Sequence, residues 1–289
     1  MNRRPQWLRF ATAILCVAAT LPALATDEGS ANQLVRSVIN NEIQAEQRDN
    51  SRWLYLSDDT EKGKRQIKEV IETPDGSLSL LIQQDGMALT GDNLKQQEQQ
   101  LRQFAQDPNQ MQKRKQAGAS DAQKAQRLMQ MLPDAFIYQQ DGQDENGFMR
   151  LSFTPNPNFN PPSREAKVFH SMAGTVTVDP KSRRLVSISG HLIHDVNFGW
   201  GILGTLHKGG TFDVKREEVA PGTWKETLTD VHISGHALFF HTISEQQHEI
   251  RTHYQRVDDN LSPVRAADLL IRRADEVGAS KTAALHHGH

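Results

Sequence analysis

The sequence predicts an α+β protein built on one strongly curved antiparallel sheet, a half-open β-barrel of about eleven strands with covering helices. Three observations carry this prediction. Apolar residues alternate at period two in run after run, as at Leu78, Leu80 and Ile82 or at Val186, Ile188 and Leu192. The connections between runs are short and rich in turn residues, which favours antiparallel neighbours over parallel units joined by helices. Helical spacing is confined to a stretch before the strands, one insertion among them and a weak pattern after them. A single sheet of so many strands curls, and if helices fill its mouth its inner face is wide enough for a ligand.

Residues 1–25 have the parts of a cleaved export signal: basic Arg3, Arg4 and Arg9, an apolar run from Phe10 to Leu21, and Ala23-Leu24-Ala25 as the cleavage site. The apolar run is shorter than the ~20 residues that span a bilayer. No cysteine follows the cut to take a lipid anchor. The single cysteine, Cys16, leaves with the signal, so the expected periplasmic chain has no disulfide. Losing three arginines and no acid takes the formal charge from −2 to −5. A mildly acidic protein has no electrostatic reason to bind nucleic acid.

The main domain is read as 26–257. Leu34, Val35, Val38, Ile39 and Ile43 give Ser30 to Gln47 one apolar stripe and predict a helix. Strands follow at Arg52 to Ser57, Arg65 to Thr73, Ser77 to Gln84 and Met87 to Thr90, with Pro74-Asp75-Gly76 and Asp85-Gly86 as turns. Residues 93–132 form a helical insertion. One helix closes near Asp107-Pro108, and a second, capped by Ser120 or Asp121, stops at Pro133; Lys113-Arg114-Lys115 is read as a solvated loop between them. Phe148 to Thr154 returns to strand, and Pro155 to Pro162 is a stiff loop. Strands resume at Thr175 to Val178, Arg184 to Val196, Thr211 to Glu217, Trp224 to Ile233, Ala237 to Ile243 and His248 to Val257. Residues 258–289 are read as a partly disordered tail with a weak helical pattern at Leu269, Leu270 and Ile271.

Catalytic and cofactor patterns are weak. Histidines crowd the C-terminal half, yet His191 and His194 alternate in face and no His-Glu-x-x-His run exists. Ser234, His236 and Asp230 can be written as a triad, but Ser234 lacks the strained elbow that exposes a nucleophile. Gly199, Gly201 and Gly204 are interleaved with large apolar side chains and open no phosphate loop. No cofactor, metal or catalysis is expected. What remains is apolar: Trp53, Tyr55, Val186, Ile188, Phe198, Trp200, Ile202, Leu203, Trp224 and Phe239 are the candidate ligand-binding residues. The glycine-hinged run Phe198 to Phe212 either plugs the open edge of the barrel or projects as a membrane- or cargo-facing rim, and the plug is the reading taken.

The order of export signal, helix, meander, helical insertion and late strands, with the turn Val-Asp-Pro-x-x-x-x-Leu-Val at Val178 to Val186, resembles the periplasmic lipoprotein-carrier superfamily, the LolA/LolB-like proteins and their RseB-like relatives. Phe-Gly-Trp-Gly-Ile-Leu-Gly from Phe198 and Gly-His-Ala-Leu-Phe-Phe-His-Thr-Ile from Gly235 also resemble exported proteins of acidobacteria. The resemblance implies an eleven-stranded half-barrel whose helical lid shelters acyl chains, as in outer-membrane lipoprotein sorting. The expected function is non-catalytic carriage or binding of a lipid or lipidated protein, with peripheral membrane contact. The alternatives are an envelope-stress sensor or interaction module with an envelope protein partner, and third a hydrolase.

Overall fold

The computed structural model describes residues 27–61, 63–198, 204–237 and 246–286. Helix α1 (Asp27–Arg48) leads into β1 (Arg52–Glu61), β2 (Lys64–Ile71), β3 (Leu78–Gln84) and the short β4 (Met87–Ala88). Helices α2 (Gly91–Gln106) and α3 (Pro108–Ala135) follow. Then come β5 (Phe136–Gln143), β6 (Met149–Pro155), a 3-10 helix (Glu165–Ser171), β7 (Met172–Asp179), β8 (Arg184–Leu192), β9 (Val196–Phe198) and β10 (Gly204–Leu206). The chain closes with β11 (Thr211–Ala220), β12 (Thr223–His232), β13 (Gly235–Ala237), β14 (Gln246–Val257) and α4 (Pro263–His286).

Eleven strands make one sheet in the order β4-β3-β2-β1-β14-β12-β11-β8-β7-β6-β5, and every pairing is antiparallel. The predicted α+β class and meander therefore hold. The insertion α2–α3 joins the two edge strands, β4 and β5. A second sheet of three short strands, β13-β10-β9, packs Val196 and Leu206 with Leu192 at the side of the first.

The registers sort side chains onto two faces, and each face is covered over a different half. On one face Tyr138, Phe153, Val176, Ile188, Phe212 and Val214 lie in line across β5 to β11, and α1 and the C-terminal half of α3 pack on them. On the other, Leu54, Ile71, Leu78 and Leu80 of β1 to β3 pack under α2 and α4. Where no helix covers it, the second face carries polar Ser189, Asp213, Asp230 and His248. Burying apolar side chains on one face and leaving polar ones on the other is what an antiparallel sheet allows.

Several expectations for the helices are corrected. The second helix starts at Pro108, not near Ser120, because Asp107 ends α2 and caps α3, its Oδ1 accepting from the Asn109 and Gln110 amides at 2.9 and 3.1 Å. Lys113, Arg114 and Lys115 are thus on a helix: Arg114 lies over the Phe104 ring and Lys115 pairs with Asp75. Nor does Pro133 stop α3, which runs to Ala135. The carbonyls of its last turn are satisfied from outside, Asn32 Nδ2 donating to Pro133 and Phe136, the Tyr138 hydroxyl to Leu132 and Asn156 Nδ2 to Asp134. Residues 263–286 form α4 and supply Ala266, Ala267, Leu270, Ile271 and Ala274 to the core, so this stretch is part of the domain and not a trailing tail.

Glycine matters most where β7 meets β8. Gly174 pairs with Gly190, and a Cβ on Gly174 would lie 2.0 Å from the Ser189 carbonyl oxygen, while one on Gly190 would lie 2.8 Å from the Phe212 ring. The bare Cα of Gly190 makes room for that ring, and that of Gly174 for the β8 backbone. Gly174→Ala is expected to cost about 1–3 kcal/mol through overpacking, read as a lowered urea midpoint with an unchanged slope; an unchanged midpoint would show that the strands separate freely there.

Candidate cavity under the N-terminal helix

A cavity of about 730 Å³ lies between α1, the C-terminal half of α3 and the sheet. Its apolar wall comes from Val35, Val38 and Ile39 of α1, Leu128, Met129 and Leu132 of α3, and Tyr138, Phe169, Val176, Val178, Leu185, Ile188 and Val214 below. The spacing of the α3 residues puts them on one side of the helix. Farther along α1 the wall turns polar, with Glu42, Glu46, Arg48 and Asp49 facing Arg184, Arg216, Lys225, Glu226 and Arg251.

Glu42 is the hub of the polar end. Only 2% of its side chain is exposed. Arg184 donates to it twice, Nε to Oε1 at 2.8 Å and Nη2 to Oε2 at 3.0 Å; the Leu185 amide donates to Oε1 at 2.7 Å, and Arg216 Nη1 to Oε2. Burial opposes its charge, but the Arg184 hydrogen bonds, the Arg216 charge and the Leu185 amide outweigh it and hold the carboxyl below its ordinary value. These bonds fix α1 to β8 and β11.

Beside the cavity, on the same sheet face, Tyr55 stacks on Tyr254 with ring centroids 5.0 Å apart. Arg251 lies over Tyr55, and its guanidinium forks onto Glu249 at 2.9 and 2.8 Å and also approaches Glu226 at 3.2 Å. Burial pushes the Tyr55 hydroxyl up to about 12. Trp53 is buried between Lys225 and Arg256, and its indole donates to Ser51 Oγ at 2.7 Å.

Of the ten candidate residues, Ile188 and Trp224 line the cavity. Trp53 and Tyr55 stand next to it without lining it, because their rings are taken up by Tyr254 and the flanking cations. Val186 is not in its wall: the register shift between the pairs Thr177–Ser187 and Val178–Leu185 falls at this residue, so Ile188 and Leu185 face inward instead. Trp200, Ile202, Leu203 and Phe239 lie outside the described residues, and Phe198 enters only through its backbone in β9. The run that begins at Phe198 is flanked by β9 and β10, which pair as a hairpin.

Comparison with models of known protein families, with curated proteins and with solved structures finds no match. Among the described residues there is no group of three or more His, Cys, Asp or Glu side chains able to hold a metal ion, and no helix long and apolar enough to cross a membrane. Asp230 is engaged by His232 and His248, each with a ring nitrogen 3.0 Å from Oδ1, on the face turned away from the cavity.

Sequence reasoning missed Glu42, Arg184 and Arg216. Glu42 left a signal: it falls three residues after Ile39 and four after Val38, inside the apolar stripe of α1, where a charge needs a buried partner. Nothing in the sequence marks Arg184 and Arg216 as that partner.

Proposed function

We propose that this protein is an exported, non-catalytic carrier or binding protein for a lipid or lipidated protein, which shelters acyl chains inside a half-open barrel of the lipoprotein-carrier kind. The observation that carries the reading is the cavity itself, since its volume and largely apolar wall suit a flexible chain. Each buried methylene contributes about 0.8 kcal/mol, so a long acyl chain needs few polar contacts to be held.

The length of α3 supports the curled sheet that this reading needs. Gly76, in the turn before β3, lies against α3, where an added Cβ would be 3.9 Å from the Lys115 amide nitrogen. From there to Ala135, next to the start of β5, the helix covers about 30 Å. Nine strand spacings separate β3 from β5, about 43 Å in a sheet that does not curl. A helix that short reaches both places if the sheet bends around it.

The test is native mass spectrometry of protein purified from the cell envelope, followed by lipid extraction. A bound acyl-containing ligand is expected, and Ile188→Trp, which fills the cavity, is expected to lower its occupancy at least fivefold. Repeated recovery of empty protein would overturn the reading, and a stoichiometric protein partner without lipid would favour a sensor module.

A further inference from the structure

We propose that the ligand of this cavity carries an anionic oxygen head, a carboxylate or phosphate, bound at the polar end beside Arg48, Arg216 and Arg251. This rests on the acyl-cavity reading above and adds the chemistry of the head. Along α1 the wall passes from Val35, Val38 and Ile39 to Arg48 and Asp49 within about three to four turns, so an amphiphile aligned with the cavity leaves its head among charges.

Those charges are not evenly spent. Glu42 already accepts four hydrogen bonds from Arg184, Arg216 and Leu185. Asp49 accepts from the Ser51 amide at 2.8 Å and from Lys225 at 3.2 Å, and Glu226 Oε1 takes the Thr229 hydroxyl at 2.7 Å and Arg251 at 3.2 Å. Each guanidinium has five N–H donors. Arg216 uses Nη1 on Glu42 and Nη2 on the Trp224 carbonyl, Arg251 uses Nε and Nη2 on Glu249 and Nη1 on Glu226, and Arg48 has no partner among the described residues. The Arg216 and Arg251 side chains keep 21% and 29% of their exposure. The capacity left at this end is mostly donor capacity, with the exposed Glu46 as the one lining carboxylate without a partner among the described residues. A carboxylate or phosphate offers paired acceptors that match a guanidinium fork. A quaternary ammonium head would set positive charge against positive charge and offer no acceptor, and an alcohol would use only a fraction of the donors.

Isothermal titration calorimetry on the full mature chain tests this with hexadecanoate, hexadecyl phosphate, hexadecanol and hexadecyltrimethylammonium, each below its aggregation limit. The two anions are expected to bind at least tenfold more tightly than the alcohol or the cation, and the stronger of them names the head. Arg48→Gln, at an exposed position whose loss leaves the fold intact, is expected to weaken the anions three- to tenfold and leave hexadecanol unchanged. Equal affinities, preference for the cation, or an Arg48→Gln variant that binds all four as before would overturn the inference while leaving the acyl cavity standing. Failure of all four to bind would overturn the cavity reading itself.

Discussion

Glu42→Ala is expected to destabilise the protein by about 3–5 kcal/mol, because it leaves Arg184 and Arg216 with buried positive charge and no counter-ion. The cost comes from the stranded arginines more than from the lost pair. Replacing Glu42 and Arg184 together, as Glu42→Leu with Arg184→Met, should therefore recover part of the loss, and equilibrium unfolding in urea of the two single variants and the double variant measures the coupling. The pH dependence has a definite sign. The Glu42 carboxyl is held below its ordinary value of 4.5 in the folded state. Its contribution is thus fully present above that value and lost as pH falls through the lower, folded one. Stability of the parent chain should fall more steeply with acidification below about pH 4.5 than that of Glu42→Ala; identical slopes would show that folding does not shift the Glu42 carboxyl.

The same residue shows where the sequence could be read and where it could not. The strands were legible because alternation and turn chemistry are local: Pro74-Asp75-Gly76 and Asp85-Gly86 bound β3 wherever the chain goes next. The residues that face a cavity are set by which strands become neighbours. Arg184 and Arg216 converge because β8 and β11 pair across the β9–β10 excursion, and no period within either strand encodes that meeting. Val186 was misplaced by one irregularity, since a register shift of one residue exchanges the faces that simple alternation assigns. Strand β5 went unread because only Phe136, Ile137 and Tyr138 are apolar before the chain turns to Gln139 and Gln140, too short a run for alternation to register. The start of α3 misjudged at Ser120 is set locally by the Asp107 cap, whereas the end misjudged at Pro133 was lost to tertiary satisfaction. Asn32, Tyr138 and Asn156 supply the hydrogen bonds that let α3 run through Pro133 to its end, and two of the three come from other elements far away in the sequence.

Leu270→Ala is expected to cost about 2–5 kcal/mol, whereas the neighbouring Leu269→Ala should cost well under half as much. The pattern of α4 explains the contrast. Ala266, Ala267, Leu270, Ile271 and Ala274 recur at helical spacing and are buried, with Leu270 fully enclosed, while Leu269 is only partly covered. Three of these five positions are alanine, which carries little hydropathy signal and lets the helix approach β2 and β3 closely; a stripe made mostly of alanine reads as weak in sequence and packs tightly in the fold. Arg273 of the same helix adds an ion pair to Glu69 of β2 at 3.1 Å. Leu270→Asp would place a charge against Leu54, Ile71, Leu78 and Leu80 and should abolish cooperative unfolding or expose that face to a hydrophobic dye. Because the cavity lies on the opposite face, under α1 and α3, Leu270→Ala should lower the melting temperature without changing the affinity for the proposed acyl ligand where the variant is still folded, and a loss of affinity at full folding would show that the two faces are coupled through the sheet.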